Sequence, residues 1–196
     1  MAKEPVMGSV KTRLAAQVGS AEAVRFYRNS VRTVTRRLGA DPRWRTVLAI
    51  APDKAIGARV WPPGMARGPQ GAGDLGQRMQ RLLEAPPPGP VVLVGTDIPA
   101  IGLAHIARAF RLLGNHDAVF GPADDGGYWL VGFKRCPRAP RPFAGVRWSA
   151  PETLADTLRN LGDLRVALAA TLSDVDTAGD LERFGAVAAR VVPPRS

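Results

Sequence analysis

Three features of the 196-residue sequence predict an α/β fold, a central sheet with helices on both faces. Short continuous apolar runs rich in β-branched residues, "TVLAIA" (46–51) and "VVLVG" (91–95), have the character of strands buried on both faces. Other stretches carry apolar residues at helical spacing. The two kinds of segment alternate, the order that winds such a sheet.

Taken in order, Val24, Tyr27, Val31, Val34 and Leu38 recur every three or four positions between Ser20 and Leu38, with Gly39 as a stop. That spacing predicts an amphipathic helix with a serine cap. Strands follow at 46–51 and 91–95, with helical patterns at Asp74–Glu84 and Leu103–Leu113. "DAVFGP" (117–122) and "GYWLVGF" (127–133) read as further strands. Ser149 and Glu152 have the spacing of a capping box that opens a helix. "LRVALAA" (164–170) predicts a last strand and Thr177–Ala189 a last helix, while the Pro-rich pieces at 62–69, 86–90 and 137–142 read as loops.

The length suits one domain over residues 1–196. No membrane-spanning apolar run and no secretory signal is readable, so the expected location is the cytoplasm. The single cysteine, Cys136, has no partner for an internal disulfide. A formal net charge of +10 raises the question of nucleic acid. The positive residues are mostly arginines scattered along the chain, lysine standing only at 3, 11, 54 and 134, and no aromatic-interleaved basic strand accompanies them. No nucleic-acid partner is therefore expected.

In open α/β sheets ligands bind beyond the carboxyl ends of the strands, which directs attention to three places. Asp97 follows "VVLVG" by two residues, where a carboxylate suits a divalent cation on a diphosphate; the same position suits a cap for the helix beyond Pro99. Asp124 and Asp125 precede Gly126 and Gly127, an arrangement that allows close approach of a ligand and that equally makes a hairpin turn. Asp174, Asp176 and Asp180 crowd the start of the last helix, where Asp176 or Thr177 suits a cap and one of the aspartates suits a second metal ligand. The opening "MAKEPVMGSVKTRL" adds Lys3, Lys11, Thr12 and Arg13, cations and a hydroxyl suited to phosphate. Neither His105 nor His116 has a nucleophile partner that would make a Ser-His-Asp site.

In this order "KEPVMGSVKTRL", "GDLGQRM", "VGTDIP", "FGPADDGGYWLVGF", "VRWS" and "DVDTAGDL" resemble the motif series of the DUF2064 family, a bacterial group in the GT-A superfamily of nucleotide-diphospho-sugar transferases. The resemblance covers nearly the whole chain. It implies a Rossmann-like GT-A fold with a mostly parallel central sheet. It also implies a glycosyltransferase-like activity on a nucleoside-diphosphate sugar with a small-molecule acceptor, assisted by Mg²⁺ or Mn²⁺. Metal ligation maps onto Asp97 and Asp176, and nucleotide binding onto Lys3, Gly8, Lys11, Thr12, Arg13, Asp74 and Arg78, with Gly76 beside them. Asp125 is the candidate for acceptor orientation or general base, and Asp124, Gly126, Gly127 and Tyr128 for acceptor binding.

Two departures from the family pattern stand out. Members carry a hydrophobic strand before the first lysine, whereas only Met1 and Ala2 precede Lys3, so the first strand is expected to be truncated and the native start to lie upstream. Related nucleotidyltransferases place "PK" shortly after the phosphate-loop arginine, and "TRLAAQVGSAEA" lacks it. This favours sugar transfer over nucleotidyl transfer to a phosphorylated small molecule, while the missing strand leaves a non-catalytic nucleotide-binding or partner-binding module as a further alternative.

Overall fold

The computed structural model describes residues 1–136 and 138–191. The elements run β1 (Ala2–Lys3), α1 (Thr12–Val18), α2 (Ser20–Gly39), β2 (Val47–Ala51), β3 (Ala66–Pro69), α3 (Leu75–Glu84), β4 (Val91–Val94), α4 (Leu103–Leu112), β5 (Ala118–Pro122), β6 (Tyr128–Phe133), α5 (Thr153–Arg159), β7 (Val166–Leu168) and α6 (Ala178–Val191). A parallel sheet has the order β1-β2-β3, and a second sheet the order β4-β6-β5-β7. Within the second, β6 alone runs against its neighbours, while β5 and β7 are parallel. The sheets meet at Met1, whose amino nitrogen donates to the Val94 carbonyl at 2.6 Å and whose carbonyl accepts from the Thr96 hydroxyl at 3.1 Å.

Alternating residues of β5 explain the layers. Val119 packs with Val34 and Leu38 of α2 and Ile106, Ala109 and Leu113 on one face. Phe120 points the other way, onto Met79 and Leu83 of α3 and Leu161 beyond α5. The apolar stripe of α2 continues onto β1 and β2, where Val24, Tyr27 and Val31 meet Ala2, Leu48 and Ile50. Helices therefore cover both faces, as the alternation of segments predicts. Among the described residues no helix is long and apolar enough to cross a membrane.

The structure corrects several local expectations. Residues 66–69 form β3 inside the segment read as a loop, because Ala66, Arg67, Gly68 and Pro69 lie in register with Val47–Ile50. The first residue of α2 is Ser20 itself, with Gly19 as its cap. Ser149 caps nothing: it takes a left-handed backbone (φ 56°), and α5 begins after Glu152. The turn before α5 is closed instead by Thr153, whose hydroxyl donates toward the carbonyls of Arg147 (2.6 Å) and Ala150 (2.7 Å). The box expected at 149–152 occurs at α3, where the Asp74 side chain accepts from Gln77 N and Gln77 reaches back to Asp74 N.

Asp156 holds the 147–153 segment. Its carboxylate, 7% exposed, accepts from Arg147 N, Nε and Nη2 and from Arg159 Nη1. Hydrogen bonds from the Arg147 side chain hold this carboxyl well below the ordinary value of 3.8. A depressed carboxylate stabilises the fold while ionised, above its unfolded value, and loses that contribution as pH falls through the folded value. Asp156→Asn should therefore be less stable than the wild type at neutral pH, and the gap should close as pH falls below the ordinary carboxylate range. Urea unfolding of both proteins at neutral and strongly acid pH checks this.

Candidate active site

The loops after β1, β4, β5 and β7 converge beyond the strand ends. Lys11, at the start of α1, is the meeting point. Its side chain is only 4% exposed, and its Nζ lies 2.5 Å from Asp174, 2.9 Å from Asp176 and 3.3 Å from Asp97. The Lys11 backbone is left-handed (φ 48°), which costs a lysine roughly 1–2 kcal/mol and is offset by the contacts it makes. Burial alone would lower the Lys11 pKa, but Asp97, Asp174 and Asp176 overcome it and hold the ammonium above its usual range. Burial and the Asp97 charge push Asp174 the other way for a carboxylate, up to about 7, against the pull of Lys11.

This arrangement separates the roles that spacing left open. Asp97 caps no helix; α4 begins after Gly102, whose N–H donates to His105 Nδ1 at 3.0 Å. At the last helix Thr177 and Asp180 cap reciprocally, the Thr177 hydroxyl accepting from Asp180 N at 3.2 Å and the Asp180 carboxylate accepting from Asp176 N, Thr177 N and the Thr177 hydroxyl. Asp174 and Asp176 are thereby free to turn to Lys11. Arg13, largely exposed, stands 3.5 Å from Asp176.

Two adjoining cavities flank the cluster. One, of about 330 Å³, is lined by Lys3, Ser9, Lys11, Thr12, Arg13, Asp97 and others. The second, about 400 Å³, runs beneath it toward α3 and shares Lys3, Tyr27, Asp97 and Asp174. Its wall is largely apolar, with Leu75, Met79, Tyr128, Trp129 and Trp148, and Asp125 stands in its lining. The Lys3 ammonium donates to the Ser9 carbonyl at 2.8 Å, and the Lys3 N–H to the Tyr27 hydroxyl at 2.8 Å. Burial raises the pKa of Tyr128 and that of Tyr27.

The other expected site residues are placed as follows. Asp124, Asp125, Gly126 and Gly127 make the β5–β6 hairpin turn, with Ala123 N donating to Gly127 O and Gly126 N to Ala123 O. Asp124 accepts from the Ser173 hydroxyl, and Asp125 Oδ1 from Gly127 N at 2.9 Å. A side chain at Gly126 (φ 84°) would meet the Pro151 backbone, so the close approach this glycine permits is to the chain itself. Gly8 (φ 74°) belongs to the turn before Lys11. Asp74 caps α3, and Arg78 Nη1 reaches Gln70 Oε1 at 3.3 Å; neither lines either cavity, though Gln70 lines the larger. Gly76 packs against Phe143 and Trp148, where a side chain would collide. A wider groove of about 1090 Å³, with Arg32, Arg36, Trp44 and Arg45, contains none of the expected site residues.

Tyr27 and Trp148 line the site without having been singled out. Tyr27 reads as one member of an apolar helical stripe, and only the position of its hydroxyl shows more. Trp148 lies in "VRWS", so its signal was the motif rather than its chemistry.

Residues 33–150 match the family described as "Uncharacterized protein conserved in bacteria (DUF2064)". The chain belongs to the DUF2064 family. No curated protein matches the sequence. Among solved structures, a "putative nucleotide-diphospho-sugar transferase" from Desulfovibrio desulfuricans G20 is 31% identical, with a TM-score of 0.78 over 93% of this chain and 83% of that one. The 4-diphosphocytidyl-2C-methyl-D-erythritol synthase from Anaerococcus prevotii DSM 20548 is 14% identical, with a TM-score of 0.55 over 90% and 92% of the two chains. Rv0371c from Mycobacterium tuberculosis H37Rv is 18% identical, with a TM-score of 0.54 over 91% and 90%. The last two show a shared fold. This DUF2064 chain thus has the α/β fold of a nucleotide-diphospho-sugar transferase, with a short first strand.

The cap at Asp180 gives the first check on the site's construction. Asp180→Ala removes three hydrogen bonds from the turn that carries Asp174 and Asp176, and should cost about 1–2 kcal/mol of unfolding free energy in a denaturant titration.

Proposed function

We propose that the protein transfers a glycosyl group from a nucleoside-diphosphate sugar to the hydroxyl of a small acceptor, assisted by Mg²⁺ or Mn²⁺. One observation carries this reading: a charged pocket, in which Lys3, Lys11 and Arg13 stand beside Asp97, Asp174 and Asp176, adjoins a cation-poor, aromatic cavity at Asp97 and Asp174. The first suits a diphosphate. Beside the Met1 amine, whose pKa burial lowers to about 6, the second has Lys3 as its one cationic lining side chain among the described residues, and that ammonium is turned to Ser9. An acceptor phosphate would find little compensation there, which favours sugar transfer over nucleotidyl transfer to a phosphorylated molecule.

In this reading Asp125 takes the proton of the acceptor hydroxyl as its oxygen bonds to the anomeric carbon. The bond from that carbon to the diphosphate oxygen breaks, and the electron pair leaves on the nucleoside diphosphate. Lys11 and Arg13 supply fixed positive charge where this negative charge develops. The aromatic walls of Trp148 and Tyr128 exclude water that would otherwise compete as acceptor.

No group of three or more His, Cys, Asp or Glu among the described residues is spaced to hold a metal by itself. Asp97, Asp174 and Asp176 nevertheless offer hard oxygen donors of the type that Mg²⁺ and Mn²⁺ prefer, equal in number to Lys3, Lys11 and Arg13 in the same lining. Asp97 and Asp176 would hold the ion together with the donor nucleotide, and when bound it would offset the charge of the leaving diphosphate.

A thermal-shift screen of nucleotide sugars, nucleoside diphosphates and triphosphates, with and without Mn²⁺, tests the reading. A ligand at about a hundred times its Kd stabilises by about 2.7 kcal/mol, and the expected pattern is a metal-dependent shift with one diphospho-sugar. Preference for triphosphates would support nucleotidyl transfer instead, and no shift with any nucleotide would remove the enzymatic reading. With the donor identified, Asp97→Ala should reduce metal-dependent turnover at least about a hundredfold, as loss of a transition-state electrostatic contact does, while its circular dichroism stays native. Unchanged turnover would take Asp97 out of the mechanism.

A further inference from the structure

The carboxylate cluster already contains a cation. Asp97, Asp174 and Asp176 direct oxygens at Lys11 Nζ from 3.3, 2.5 and 2.9 Å, and the side chain that carries this ammonium is 4% exposed. The carboxylates themselves are 31–39% exposed, so they border the open pocket while the lysine fills their inner side. Mg²⁺ binds oxygen at about 2.0–2.1 Å, so an ion on these same carboxylates would lie a few ångström from the ammonium. Two cations so close, one of them on a side chain shielded from water, repel each other.

Lys11 cannot leave without a replacement anion, because a buried ammonium stripped of its partners is expensive. The neighbouring Thr12 and Ser9 hydroxyls carry no charge to offer it. The backbone of Lys11 is fixed, its carbonyl accepting from Ala15 N at 2.8 Å, but its four-carbon stem can swing. The pocket it would swing into, between Lys3, Thr12 and Arg13, is the one assigned above to the donor diphosphate.

We infer that Lys11 is a resident counter-ion that occupies the carboxylate cluster in the free protein and is drawn off it by the donor diphosphate, so that divalent metal binds with or after the nucleotide. This inference rests on the metal-assisted reading. It makes the carboxylates available to metal only when a leaving group is present, and gives Lys11 two successive partners.

Electron paramagnetic resonance of free Mn²⁺ measures binding without reference to turnover. The titration compares the wild type, Lys11→Met and the double variant Lys11→Met/Asp174→Asn, each checked for native circular dichroism. The double variant removes a negative charge with the positive one, so it reports on the site even if the single variant does not fold. Both variants should bind Mn²⁺ without nucleotide about tenfold or more tightly than the wild type. Wild-type binding should rise when UDP, GDP, CDP, ADP or dTDP is added, read against protein-free controls. Equal Mn²⁺ affinity in wild type and variants would overturn the role of Lys11 and leave the metal-assisted reading standing. No gain with any of these nucleotides would overturn the ordered loading. Absence of Mn²⁺ binding in all three proteins, with and without nucleotide, would overturn the metal-assisted reading and this inference with it.

Discussion

The buried ammonium of Lys11 is the contact on which the arrangement of the strand ends depends. It joins the loop after β1 to Asp97 after β4 and to Asp174 and Asp176 after β7, segments 163 and 165 residues from Lys11 at the far end. An ammonium taken out of water costs several kcal/mol, so the fold keeps it only because three carboxylates arrive together. The converse also holds. Asp174 is itself largely buried and next to Asp97, so without Lys11 those two like charges would have no counter-ion between them. α1 and α6 are further tied by the Ala178 N–H, which donates to Gln17 Oε1 at 2.7 Å, so the helices that carry the two sides of the cluster are held to each other.

Several arginines away from the site serve a different purpose. Arg135 donates to the carbonyls of Leu83, Glu84, Pro86, Pro87 and Gly89, and so organises the Pro-rich turn between α3 and β4. Arg37 does the same for Pro99 and Ile101, Arg67 for Ile56 and Pro62, and Arg81 for Gln70 and Ala72. A guanidinium with several donors in one plane can satisfy loop carbonyls that have no strand or helix to accept from. These arginines therefore act as ties for a chain rich in proline and glycine, where backbone partners are scarce. Exposed ion pairs such as Arg25 with Glu22 add little, each side chain remaining free to find water.

The fold was legible because burial leaves a periodic trace: Val24, Tyr27, Val31, Val34 and Leu38 are all buried along α2, and the apolar runs at 47–51 and 91–94 are strands. β3 left no such trace. "ARGP" holds none of the β-branched or aromatic residues that favour strands, and it becomes a strand because β2 offers it a partner. The crevice was legible through Asp97 and the lysines, since a polar residue just past a buried strand has few places to go but the sheet's end. The division of labour among Asp174, Asp176 and Asp180 was not. All three suit a helix start electrostatically, and only the position of Lys11, set by residues at the opposite end of the chain, decides which two face the site.

The wall of the larger cavity shows how two distant segments make one surface. Gly126, in the β5–β6 turn, has its missing side chain replaced by the backbone of Pro151, and Leu154 N donates to Gly126 O at 3.0 Å. The turn that carries Asp125 is therefore pressed against the segment that carries Trp148. Asp156, gripping Arg147 through its backbone N–H and its guanidinium, fixes that segment from behind. Asp125 and Trp148 consequently hold their relative position through packed backbone rather than through a side-chain contact of their own. On the proposed reading, in which Asp125 takes a proton from an acceptor hydroxyl, the carboxylate needs that kind of support, because its distance to the acceptor has to survive the exchange of one small molecule for another.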